Sequence, residues 1–357
     1  MSLFGAYDRT WLASEDLFAS SGCGDADRIT ILADSDQRTR ESGKALAEGM
    51  FPGCGLEVHA LPEGRNDTLF HSMSGGVGLA DPALEAAAIR GRIGGNVNNL
   101  TQAYHSQLAV LDRVLAACGQ TSAEDHKRIS IFDIPARLAV DTGRHRLEMR
   151  GPLNTASSLT EDLLLEYTDG MPIAHVGWGC IDGASLRTLM QLHSAAEDLK
   201  DRTPVVAHTE ASNLLDQILR ALEQQVTGKP VASAPGKPGD RMLILVGHDT
   251  NIATVSGTLN LDWILDARRN DTPPGGALVF ELWRSATGVW SLRVYFTAQT
   301  LEQMRDSQVL TMKNPPVRVP VFVPGCSTAD LSCPFKAFAA VVQRAIVQPL
   351  PVSRTSP

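Results

Sequence analysis

Met242–Leu243–Ile244–Leu245–Val246, closed by Gly247–His248–Asp249–Thr250–Asn251 and followed by the helix-forming stretch Ile252–Leu259, is the passage on which the fold turns. An apolar run without polar alternation suits a strand covered on both faces, the usual state of a parallel strand in an α/β domain. The same order of strand, polar loop and helix occurs earlier in the chain. There Arg28–Ile29–Thr30–Ile31–Leu32–Ala33 leads into Asp34–Ser35–Asp36–Gln37–Arg38–Thr39–Arg40, and then into a helical Ser42–Met50 closed by Phe51–Pro52–Gly53. Two such units predict an α/β fold with a mainly parallel sheet flanked by helices. Two more strand candidates, Ala277–Trp283 and Trp290–Thr297, flank a Ser285–Ala286–Thr287–Gly288 turn that reads as a hairpin.

Between these sheet regions the pattern is mostly helical. Asp81–Pro82 offers an N-cap with proline at the first helical position, and Ser158–Leu159–Thr160–Glu161 fits a capping box closed by Gly170. Asn99–Cys118, Ser185–Leu199 and Val205–Val226 are further helical candidates, and the Pro/Gly-rich Lys229–Asp240 reads as a return linker. The order predicts a core built from residues 1–70 and 236–357, with a mainly helical domain, 71–235, inserted.

The 357 residues leave room for two to three domains at roughly 150 residues each. With 43% apolar and 20% charged residues, neither wholesale disorder nor a fibrous chain is expected. Thirty-two basic against 40 acidic residues give a net charge of −8, which argues against a general nucleic-acid or anionic-membrane binder. No apolar stretch approaches the roughly 18 residues of a membrane span, and Met1–Ser2–Leu3–Phe4–Gly5 does not read as a signal peptide.

Two junctions could carry chemistry. Asp34–Arg40 follows a strand and precedes a helix, where ligands collect beyond strand ends and free helix N–H groups favour anions. Arg38 there could fork onto phosphoryl oxygens; the alternative is a solvated helix start with surface ion pairs. At the second junction His248 and Asp249 form a titratable pair, with Gly247 allowing close backbone approach. The alternative there is Asp249 or Thr250 as an N-cap and His248 as a satisfied polar residue. Gly91–Arg92–Ile93–Gly94–Gly95 lacks the preceding strand and spacing of a dinucleotide fingerprint, and Ser74–Gly75–Gly76 lacks the earlier glycine of a nucleophile elbow. The nine histidines show no HExxH or cysteine–histidine spacing, so no metal site and no cofactor are expected.

The segments Ala33–Asp34–Ser35–Asp36–Gln37–Arg38–Thr39–Arg40–Glu41–Ser42–Gly43 and Val246–Gly247–His248–Asp249–Thr250–Asn251 resemble the histidine acid phosphatases, in their bacterial phytase and glucose-1-phosphatase branch. Gly177–Trp178–Gly179, Asp271–Thr272–Pro273–Pro274–Gly275–Gly276 and Gln299–Thr300–Leu301–Glu302–Gln303–Met304–Arg305–Asp306 extend the match over nearly the whole chain. The resemblance implies a phosphomonoester hydrolase acting through a phosphohistidine, with Asp249 as the acid that protonates the leaving oxygen. His248 and Arg38 would be phosphoryl donors, and Asp34, Met171, His193 and Thr250 would line the substrate pocket. An acid that must carry its proton implies activity at acid pH. The resemblance also implies disulfides Cys23–Cys54 and Cys326–Cys333, hence a periplasmic or secreted location, and leaves Cys118 and Cys180 unassigned.

One departure is large. The family's nucleophilic histidine lies in an Arg–His–Gly–x–Arg–x–Pro motif directly after the first core strand, and no such motif occurs among the 357 residues. Arg144–His145–Arg146 shares only its first dipeptide. The first core strand is therefore expected to be missing, leaving exposed apolar faces and unpaired neighbours, and the chain as given is expected to be inactive. The alternative function is a non-catalytic phosphate- or phosphosugar-binding homologue. The partner expected in either case is a small phosphorylated substrate; the sequence selects neither which one nor an oligomeric state.

Overall fold

The computed structural model describes residues 1–72, 81–117, 130–141 and 146–346. Helix α1 (Ser2–Ser14) precedes strand β1 (Ile29–Ala33), helix α2 (Gln37–Met50) and the short strand β2 (Val58–Ala60). Then follow α3 (Pro82–Arg92), α4 (Asn98–Ala103), α5 (His105–Ala117), the hairpin β3 (Arg137–Asp141) and β4 (Arg146–Arg150), α6 (Pro152–Thr168), α7 (Gly183–Lys200) and α8 (Pro204–Thr227). The chain returns through β5 (Met242–Val246), α9 (Asp249–Leu259), the β6 (Ile264–Leu265) and β7 (Arg268–Arg269) pair, β8 (Ala277–Arg284) and β9 (Trp290–Ala298). It closes with α10 (Leu301–Arg305), β10 (Val317–Val321), β11 (Cys333–Pro334) and α11 (Phe335–Ala345).

The two strand-loop-helix units sit side by side, as their apolar runs imply. β1 pairs in parallel with β5 along its whole length, from Ile29 opposite Met242 to Ala33 opposite Val246, and with β2 on its other side. This register places the loops after β1 and β5 at the same strand ends. β8 and β9 form the expected antiparallel hairpin, and β10 and β11 pair with β9 on its far side. Among the described residues β5 has no strand on the side away from β1, and β8 has none on the side away from β9. Every residue of Met242–Val246, and of the apolar part of β8, is only half-buried, while Leu245, Leu278 and Phe280 border the same core.

That core joins α8, α9, β9, β10 and α11 through Leu215, Leu219, Val255, Phe296 and Phe338. A second core lies wholly among helices, where Leu108, Leu111, Leu153, Leu164, Leu186 and Leu189 bring α5, α6 and α7 together. Within the stretch 71–235, α8 packs against α9 and α11 rather than into that helical cluster.

Several local expectations are corrected. The helix containing Ser158 starts six residues earlier, at Pro152, behind Gly151, whose φ of 138° and tight approach to Ala136 suit glycine alone. Thr160 instead bonds back to the carbonyl of Ser157 inside the helix. Asn99–Cys118 is two helices that break at Tyr104. The hairpin β3–β4 and helix α1 carried no clear sequence signal; on α1, Arg9 is buried, with its guanidinium 3.9 Å from the Phe51 ring centroid. Cys23–Cys54 and Cys326–Cys333 are disulfides with Cα separations of 5.4 and 5.1 Å. Cys180 is disulfide-bonded as well; Cys118, Ser74–Gly75–Gly76 and Arg144–His145 lie outside the described residues.

Candidate active site

The ends of β1 and β5 bring three side chains into direct contact. Arg38, in the first turn of α2, points its Nη2 at His248 Nδ1, 2.8 Å away. A guanidinium only donates, so His248 Nδ1 is the acceptor and its Nε2 carries the ring proton. That N–H is aimed at Asp34 Oδ2, 2.6 Å away. Asp34 follows β1 directly, is fully buried, and accepts a second hydrogen bond on the same oxygen from His71 Nε2 at 2.8 Å. Burial pushes the Asp34 carboxyl up, but the hydrogen bonds from His248 and His71, with a contribution from Ser35 N–H, outweigh it and hold the group below the ordinary carboxylate range. It is an anion serving two imidazoles.

The loop after β5 is fixed by reciprocal bonds. His248 is the N-cap of α9, its backbone N–H donates to Asn251 Oδ1 at 2.9 Å, and Asn251 Nδ2 donates to the carbonyl of Phe70 at 2.7 Å. The alternative reading of Asp249 or Thr250 as the cap is thereby corrected: Asp249 is the first residue of the helix, and its Oδ1 accepts from Thr250 N–H at 2.8 Å. Gly247 is required by crowding, because a Cβ there would lie 2.5 Å from Asn251 Oδ1 and 2.7 Å from Phe70 Cδ1. The Asn251 clamp also delivers His71, the residue after Phe70, to Asp34.

Beyond Asp249 lies a group of charges at the end of α7 that the sequence did not single out. Burial first, then the charge of Asp201 and further that of Asp249, push Glu197 up to about 9. Lys200 bridges Asp201 Oδ2 at 3.2 Å and Glu197 Oε1 at 3.9 Å. Burial pulls Lys200 down, but Asp201, Glu197 and Asp249 outweigh it and keep its ammonium firmly charged.

Of the residues expected at the site, Asp34, Arg38 and His248 form one bonded chain, with Asp249 and Thr250 adjoining it in sequence. Met171 and His193 belong to the helical cluster. The Met171 side chain packs there and its carbonyl accepts from Arg305, while buried His193 pairs its Nδ1 with Ser157 Oγ at 3.1 Å. His71 was missed, since a lone histidine in a loop carries no spacing signal; only contact across three chain segments reveals it.

Comparison with known proteins follows the same geometry. A model of the Histidine phosphatase superfamily (branch 2) matches residues 5–297. The chain belongs to this superfamily. Among its relatives are phytase AppA of Escherichia coli strain K12, 35% identical across 97% of this chain and 81% of the relative, and the glucose-1-phosphatase of Salmonella typhimurium, 27% identical across 96% and 80%. Of the solved structures, the Hafnia alvei phytase in complex with tartrate superposes with a TM-score of 0.89 at 34% identity, over 98% of this chain and 87% of that one. The Citrobacter braakii phytase gives 0.88 at 34% identity, over 99% and 87%. These phosphatases share the α/β architecture described above, so membership and fold are settled together.

Proposed function

We propose that the chain is built for phosphomonoester hydrolysis on a small phosphorylated substrate such as an inositol or sugar phosphate. The observation that carries the reading is the Arg38–His248 contact, which joins segments 210 residues apart at one pair of strand ends. Arg38 would turn from His248 to the phosphoryl oxygens, and His248, relieved of the guanidinium and taking up a proton on Nδ1, would donate to them as well while its Nε2–H stays on Asp34. Asp34 holds the His248 ring in place. Asp249 would give its proton to the leaving oxygen as the P–O bond breaks and a phosphorus–nitrogen bond forms to a histidine, and water would then release phosphate from that phosphohistidine. Thr250, Met171 and His193 would contribute to the substrate pocket.

The Arg–His–Gly–x–Arg–x–Pro segment that would carry the attacking histidine does not occur among the 357 residues. Among the described residues β5 and β8 each have one unpaired edge, and the apolar run of β5 suits an interior strand rather than an exposed edge, which supports the reading that the strand bearing that histidine is absent. The second reading, a phosphate-binding homologue without turnover, keeps the donors and dispenses with the nucleophile. Release of an aryl alcohol from an aryl phosphate tests both. The 357-residue form is expected to be inactive, and a form extended upstream with an Arg–His–Gly–x–Arg–x–Pro segment is expected to be active until Asp249→Asn is introduced. Comparable turnover by the 357-residue form would overturn the account of the missing nucleophile. The two disulfides described support an oxidising, periplasmic or secreted setting. Among the described residues no helix is long and apolar enough to cross a membrane.

A further inference from the structure

We propose that Asp34, His71 and His248 form a binding site for a divalent cation of the zinc class. Their ligand atoms, Asp34 Oδ2, His71 Nε2 and His248 Nε2, all lie within 4.8 Å of one another. A tetrahedral zinc ion with bonds of about 2.0–2.1 Å sets its ligand atoms roughly 3.3 Å apart. The two imidazole–carboxylate separations, 2.8 and 2.6 Å, would open by about 0.5 and 0.7 Å to admit one. His71, 38% exposed on its side chain, can supply the first, and the second requires the buried His248 ring to shift once Arg38 releases it.

Two further observations point to a cation. Asp34 Oδ1 is buried and makes no hydrogen bond of good geometry, although Ser35 N–H leans towards the carboxylate; an ion at this group would compensate a buried charge that is only half satisfied. Both rings also direct a proton at one oxygen, so a single cation can take the place of two protons. Two imidazoles with one carboxylate favour zinc over magnesium or calcium, which prefer oxygen ligands. Three protein ligands leave the fourth position to water or to an oxygen of a bound anion. The ligands come from positions 34, 71 and 248, which is why no short spacing motif announces them.

Coordination through Nε2 moves the ring proton of each histidine to Nδ1, with no net proton gained or lost by a neutral ring. His71 can do this freely. His248 cannot while Arg38 Nη2 donates to its Nδ1, because two donors would then face each other. Metal binding and the Arg38–His248 contact therefore exclude one another, and Arg38, exposed at the start of α2, must swing out.

The test is zinc titration of the full chain against a chromophoric chelator, with cobalt absorption reporting coordination geometry. One equivalent is expected. His71→Asn should weaken binding at least about tenfold, whereas His59→Asn, at the exposed His59–Glu57 pair, should leave it unchanged. Arg38→Met should tighten binding about threefold to tenfold, the worth of the hydrogen bond that competes for His248 Nδ1. This last result is decisive even if a histidine variant fails to fold. Failure of the full chain to retain zinc, equal affinity in His71→Asn, or no tightening in Arg38→Met would overturn the proposal. Each is independent of whether the chain turns over a phosphate ester.

Discussion

Glu210 on α8 makes the protein's stability depend on pH in a way that one substitution should remove. Burial first, then the charges of Asp201 and Glu85, raise its carboxyl from 4.5 to about 7, against the opposing pull of His71 and Lys200. Between those two values the folded protein keeps a proton that the unfolded chain releases. Its contribution is thus undiminished below about pH 4.5 and is lost as pH rises towards about 7. At about 1.36 kcal/mol per tenfold the ceiling is roughly 3 kcal/mol. Water screening at an incompletely buried group reduces this to about 1–2 kcal/mol. An unfolding entropy of about 2.1 cal/mol/K per residue converts that into a Tm change of roughly 1–3 °C for a chain of this length. Glu210→Gln cannot lose the proton, so its Tm should match the parent near pH 4 and exceed it by about that amount at pH 8. Glu197, pushed up to about 9, adds a decline of the same sign that the variant retains. Thermal melts across this range decide the matter, and parallel curves for parent and variant would refute the reasoning.

Two further outcomes are expected. Gly247→Ala drives a methyl group into Asn251 and the Phe70 ring, and should cost about 1–3 kcal/mol in denaturant melts while releasing the His71 segment to faster amide exchange; an unperturbed variant would show that the clamp is slack. Removing Cys23–Cys54, which closes a 31-residue span, should cost about 3–4 kcal/mol in the chain-entropy account, against about 2 kcal/mol for the seven-residue Cys326–Cys333 span. Equal losses on replacing each pair by serine would remove loop length as the explanation.

The parts of the molecule that could be read from sequence are those whose information is local. β1, β5 and the β8–β9 hairpin announce themselves through uninterrupted or alternating apolar runs, and the parallel register then places Arg38 and His248 beyond the same strand ends. Helix α1 escaped because its inward face includes Arg9, a charge made tolerable by stacking on Phe51 from a distant helix end. Ser158 misled because a hydroxyl three residues before a glutamate reads alike whether it caps a helix or lies inside one, and here the helix has already begun at Pro152, with the neighbouring Thr160 bonding back to the Ser157 carbonyl. The triad of Asp34, His71 and His248 could not have been read locally. Its second histidine arrives through Asn251 gripping the carbonyl of Phe70, a contact between positions 181 residues apart.

The half-covered margins of β5 and β8 have a practical consequence. Main-chain donors and acceptors along Met242–Val246, which have no strand partner among the described residues on the edge away from β1, amount to a template for an extended peptide that meets them. In concentrated stocks the most abundant such peptide is another molecule of the same kind. Directional self-association, growing with concentration and relieved by a competing β-prone oligopeptide, is therefore how this margin would first make itself felt at the bench.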